Sequence, residues 1–172
     1  MPAGETRVYI PATLDMLRSL VDEQELRALN DTAFAVTPAL REAYTSGDDE
    51  ELSEVAMAEA ARASLRLLAQ ETESDTPPVY RRAVIAADVP EATPRPDLDD
   101  AVVRLSAAVP LRKVASVHVD LSEAEPDVQK AVDIIDAADM GDEDAEFVLG
   151  DAEDHQLAWY AAQELPFLVE LR

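Results

Sequence analysis

Two histidines, His118 and His155, are the side chains of this sequence suited to moving protons near neutral pH. Asp120 follows His118 by two residues, so a strand would project both groups from one face near its C-terminal end. In open α/β sheets that end is where ligands bind. His155 is flanked by Asp151, Glu153 and Asp154. If the strands carrying the two histidines are neighbours, a His–Asp pair could serve as general base in a hydrolase-type reaction. Two imidazoles with carboxylates could instead hold zinc or manganese. His118, Asp120 and His155 are therefore the candidate catalytic set. The plainer alternative stays open. In it, His118 is a half-buried strand histidine satisfied by one hydrogen bond, and Asp120 starts the turn into the next helix.

Other constellations carry less chemistry. Residues 139–154, DMGDEDAEFVLGDAED, hold eight acids and two glycines. Clustered oxygens suit calcium, but no EF-hand string with its glutamate at position twelve occurs. A solvated loop with at most one helical turn, around Phe147, is the expectation. The turns Pro11–Ala12–Thr13 and Val36–Thr37–Pro38 offer helix N-termini, yet neither has the glycines that let backbone approach phosphate. No Walker, Rossmann or Gly-x-Ser-x-Gly motif occurs, so no cofactor is implied. Trp159 and Tyr160 form an aromatic pair in an aromatic-poor chain and are expected in the core.

Composition narrows the function classes. At 172 residues, 48% hydrophobic and 30% charged, one globular domain over residues 1–172 is expected. No cysteine is present, which excludes disulfides and thiolate nucleophiles. No apolar run approaches the roughly 20 residues of a membrane span, and the start lacks signal-peptide character, so the chain is expected to be cytoplasmic. Net charge is -23. Residues 120–172 hold sixteen acids against two bases, while residues 71–119 hold eight against six. Such a field repels phosphate backbones and anionic lipid, so neither nucleic acid nor membrane is an expected partner. It attracts a basic protein partner, and it also serves solubility.

Several elements can then be placed. Residues 7–21 read as a short strand, then a helix capped by Thr13 with Leu14, Leu17 and Val21 inward. Residues 32–44 repeat the pattern, with Thr37 as cap and Pro38 at the first helical position. Asp48 opens a long helix to Gln70, whose small-residue stripe is Leu52, Ala56, Ala60, Ala63 and Leu67. Ala83–Ala87 is a buried strand, and 102–105 a further short one. In the strand 113–119, Ala115, Val117 and Val119 are expected on one face; Val114, Ser116, His118 and Asp120 take the other. Ser122 and Glu125 suggest a capping box before a helix buried through Val128, Ala131, Val132 and Ile135. Gln156–Tyr160 reads as a strand and residues 163–171 as a helix, with one helix from Asp154 to Glu164 broken by Pro166 as the alternative. Surface loops are expected at 71–79, 88–100 and 139–154.

The segments RVYIPATLDMLRSLV, TAFAVTPALREAY, EELSEVAMAEAARASLRLLA, VHVD and DHQLAWYAAQEL together resemble a family of uncharacterised actinobacterial proteins. The resemblance implies a bacterial cytosolic origin and carries no activity. The expected fold is α/β, with α+β as the alternative: a mixed β-sheet covered by helices, with ferredoxin-like βαβ halves as one specific option. Three function classes remain: a small acidic interaction or structural protein, an enzyme using His118, Asp120 and His155, and a small-molecule-binding regulatory domain. Oligomeric state is not readable from the sequence.

Overall fold

The computed structural model describes residues 4–44 and 46–170. The chain opens with strand β1 (Thr6–Ala12) and helix α1 (Leu14–Glu23), then β2 (Glu25–Leu26), β3 (Thr32–Phe34) and the short helix α2 (Pro38–Ala43). Helix α3 (Asp49–Glu71) leads to β4 (Ala83–Val89), β5 (Ala92–Pro94), β6 (Val102–Leu105) and β7 (Val109–Pro110). Strand β8 (Val114–Val119), helices α4 (Glu125–Asp139) and α5 (Glu143–Glu153), strand β9 (Ala158–Ala161) and helix α6 (Leu165–Glu170) complete it. The three expected caps are present: Thr13, Thr37 and Asp48 accept the backbone N–H of Met16, Leu40 and Glu51.

Seven strands form one sheet in the order β5-β6-β3-β1-β4-β8-β9, and β2 pairs with β7 apart from it. Among the described residues every pairing is antiparallel. The helix-covered sheet of a mixed α and β fold is thus present, but the expected βαβ halves are not. β1 and β3 are adjacent and antiparallel although α1 lies between them in sequence, and β8 and β9 do the same around α4 and α5. One parallel relation exists at a distance: β3 and β4 run the same way on either side of β1, joined through α2 and α3.

Apolar residues cover both faces. Val8, Ile10, Ile85 and Val117 pack against α1 and α6, while Tyr9, Phe34, Val84 and Ala86 pack under α2 and α3. A third cluster joins the C-terminal half of α3, through Leu65 and Leu68, to α4 and α5. The stripe of small residues on α3 is what lets that helix lie close to the sheet, as expected. Ala56 and Ala60 are wholly buried.

Four local expectations change. In β8 the register slips by one residue: Ala86 faces Ser116 but Ala87 faces Val114. Ala115 is the extra residue of a β-bulge, so it is exposed, and Val114 joins Val117 and Val119 on the α1 side. Residues 143–153 are helical rather than loop. Asp142 accepts the Ala145 N–H, and Glu143, Asp144 and Glu146 sit in the first turn, where the helix dipole favours acids. Within 88–100, Ala92–Pro94 adds an edge strand. Finally, α4 is entered through a 3₁₀ turn at Ser122–Ala124 with no side-chain cap, so the Ser122–Glu125 capping box does not form.

Candidate functional site

His118 lies near the end of β8 and faces Val84 across the ladder, which puts it on the side of the sheet that packs under α3. On its other side it faces Trp159 of β9. At this margin a cleft of about 620 Å³ opens between α3, the end of β8 and the turn from α5 to β9. Its titratable walls are Glu54, Arg62, Arg82, His118, Glu153 and His155, over apolar Met57, Leu65 and Leu157. The structure therefore brings two of the three sequence candidates, His118 and His155, to one concavity.

Asp120 is placed differently. It is 1% exposed. Its Oδ2 accepts the backbone N–H and the Nε–H of Arg82, each at 2.8 Å, and its Oδ1 accepts from Nη2 at 2.8 Å. The same Nη2 donates to the carbonyl of His155 at 2.8 Å. A carboxylate taken from water needs partners of this quality. The pair ties the entry of β4, the exit of β8 and the α5–β9 turn together, and it leaves Asp120 no histidine to assist.

The carboxylate that does assist a histidine is Asp127 of α4: His155 Nε2 donates to its Oδ2 at 2.8 Å. Nothing in the local sequence marks Asp127, because 28 residues separate the two groups and only the packing of α4 joins them. His118 Nε2 lies 3.0 Å from Ser116 Oγ, one hydrogen bond on the same strand face. Burial pushes the His118 imidazole below its ordinary value, and the positive field of Arg7 acts in the same direction. His118 is therefore neutral at pH 7. Among the described residues, no three His, Asp or Glu side chains are arranged to hold a metal ion.

The charge balance of the cleft follows from its partners. Arg62 donates to Asp139 and Glu146, each at 3.0 Å, and Arg66 donates to Asp139 at 2.6 and 2.9 Å. Those hydrogen bonds, first from Arg66 and then from Arg62, hold the Asp139 carboxyl below the usual carboxylate range. Arg82 is matched by Asp120. Glu54 and Glu153 have no hydrogen bond or ion pair among the described residues. The cleft is left net negative.

The remaining sequence candidates resolve into ordinary roles. Thr13 and Thr37 are buried caps, and their hydroxyls also donate to Glu71 and to the Asp100 carbonyl, which closes both helix N-termini. Trp159, expected in the core, is 63% exposed, because β9 is the last strand and its α3-side face extends past the helix. No helix among the described residues is long and apolar enough to cross a membrane.

These features define a class: an antiparallel seven-stranded sheet between helical layers, with an acidic flank and a two-histidine cleft at one margin. The chain belongs to the family of unknown function DUF6912, whose family model matches residues 6–169. No curated protein and no solved structure matches it.

Proposed function

We propose that this chain is an interaction protein whose α4–α5 flank docks a basic protein partner. One observation carries the reading. Residues 131–170 contain twelve Asp and Glu and no Lys or Arg, and within that stretch Met140 and Phe147 are 85% and 79% exposed. Large apolar side chains held in water inside a field of one sign suit a partner that brings the opposite sign and an apolar pocket. Asp142, Glu143, Asp144, Asp151, Glu153 and Asp154 are all exposed. Of the two adjacent basic pairs, Arg81–Arg82 and Arg112–Lys113, three members are held in ion pairs, Arg81 with Glu125, Arg82 with Asp120 and Lys113 with Glu5, which gives nucleic acid little to hold. A cytoplasmic setting accords with a sequence free of cysteine.

The test is affinity purification from the native host with the wild-type chain and with Glu143→Gln, Asp144→Asn, Asp151→Asn and Asp154→Asn combined. Basic proteins captured by the wild type are lost or reduced with the variant. Equal yield would leave the acidity with a solubilising role only.

A second reading is general-base catalysis at the cleft, and the His155–Asp127 pair favours it. A carboxylate that accepts from one ring nitrogen fixes the tautomer and leaves Nδ1 as the acceptor. In this reading His155 and His118 carry the chemistry and Asp120 only positions the turn. Turnover of a model ester that survives His155→Gln unchanged would remove it.

A further inference from the structure

The sheet protects its two edges unequally. At one edge β5 ends in Pro94, and the Arg95–Asp97 ion pair follows it. The other edge, β9, reads Ala-Trp-Tyr-Ala and among the described residues pairs only with β8, without a register shift. Within Ala158–Ala161 there is no charged residue, proline or bulge of the kind that normally keeps an edge from accepting a foreign strand. Ala161 donates its N–H to Glu164 Oε2 at 2.8 Å instead of across the ladder. Successive residues of an antiparallel strand alternate in the direction of their N–H and C=O. Trp159, two residues earlier, therefore turns both groups outward. Its indole stands on the α3 side, beside the cleft whose unpaired charges are Glu54 and Glu153.

We propose that β9 is a strand-addition edge that takes an extended basic segment of a partner protein, with a Lys or Arg side chain over the Trp159 indole. Main-chain hydrogen bonds give such a mode its hold, and alternate side chains give it selectivity. The indole face attracts a cation, and the carboxylates of the cleft add to that attraction. A second copy of this chain is the poorer occupant, because it would bring a net charge of -23 against -23. The inference rests on the basic-partner reading and names the partner's conformation and its seat.

Trp159 is the only tryptophan, so its emission reports this edge directly. The probe is a synthetic octapeptide of alternating lysine and valine, titrated into the full chain and followed by fluorescence and calorimetry. Saturable binding with a shift in emission is expected. The same peptide N-methylated at its four central amides keeps its charge and loses its ladder donors, and it should bind at least tenfold more weakly. Trp159→Ala, an exposed change whose fold is checked by circular dichroism, should weaken the unmodified peptide about tenfold. Equal binding of the N-methylated peptide overturns strand addition while leaving a basic partner in place. Equal affinity for lysine amide alone overturns it in favour of a small-cation site. If neither peptide binds while the acidic flank still captures its partners, the edge inference fails by itself.

Discussion

Arg82 with Asp120, and Arg62 and Arg66 with Asp139 and Glu146, join the same two functional groups at different depths. The first pair has side chains 4% and 0% exposed; the second group spans 21% to 44%. Both flank the cleft, one at its base and one at its rim. In the buried pair all the Asp120 oxygens and much of the guanidinium are fixed by protein, so removing one partner strands a charge away from water. In the rim network water replaces whatever is removed. Depth therefore decides what each pair does: the buried one fixes where three elements meet, and the outer one trims the charge of the flank.

The largest expected effect breaks the inner pair. Asp120→Ala leaves Arg82 buried and unmatched and should cost about 3–5 kcal/mol in urea denaturation. Replacing both partners, Arg82→Met with Asp120→Leu, should recover part of that loss: no charge is stranded, but the backbone N–H of residue 82 and the His155 carbonyl lose their partners. A single variant losing under about 1 kcal/mol would mean that water reaches the pair.

Asp139→Asn tests the rim, with an expected loss of about 0.5–1 kcal/mol that shrinks as salt is raised. Its acid limb has a definite sign. The folded carboxyl titrates below its ordinary value of about 3.9, so its stabilisation is complete above that value. It is lost as pH falls toward the lower folded value. The variant should lack that part of the acid-denaturation curve, and a curve identical to wild type would show that the network is not formed in solution.

The smallest effect is a slope. His118 lines the cleft between the two pairs and is held neutral by burial, so below about pH 6.5 the unfolded chain binds a proton that the folded chain refuses. Stability should decline as pH falls through that range and level off at the lower folded value. His118→Gln should flatten that segment of a melting-temperature profile. An unaltered slope would assign the decline to other groups.

Much of the architecture was legible because its causes are local. Thr13, Thr37 and Asp48 announce their helices within three residues, and the apolar run Ala83–Ala87 announces a strand buried on both faces. The outlier was α5. Its acids and Gly150 read as loop, whereas Asp142 as cap and Ala145, Leu149 and Ala152 on the inward face supply a helix that α4 then stabilises. The site was half legible. His118 and His155 stand out by rarity, and two-residue spacing already puts Ser116 on the His118 face, but Asp127 and the capture of Asp120 by Arg82 38 residues away depend on strand order and helix packing. Trp159 was misplaced for a related reason: a residue at the margin of a sheet has a partner strand on one side and water on the other, and hydrophobicity alone does not say which strand comes last.

The bulge in β8 has a consequence for which length changes the strand can absorb. Because Ala115 is absorbed as a spare residue, the strand alternates as though it were missing: Val114, Val117 and Val119 point one way, Ser116 and His118 the other. Excising Ala115 would leave a strand of strict alternation with every buried side chain on its present face. Excising Ser116 would give the same alternation with Ala115 in its place, whereas excising His118, beyond the bulge, would swap the faces of Val119 and Asp120. A single-residue deletion, ordinarily ruinous in a central strand, is thus absorbed where the bulge sits, immediately upstream of the His118 that lines the cleft.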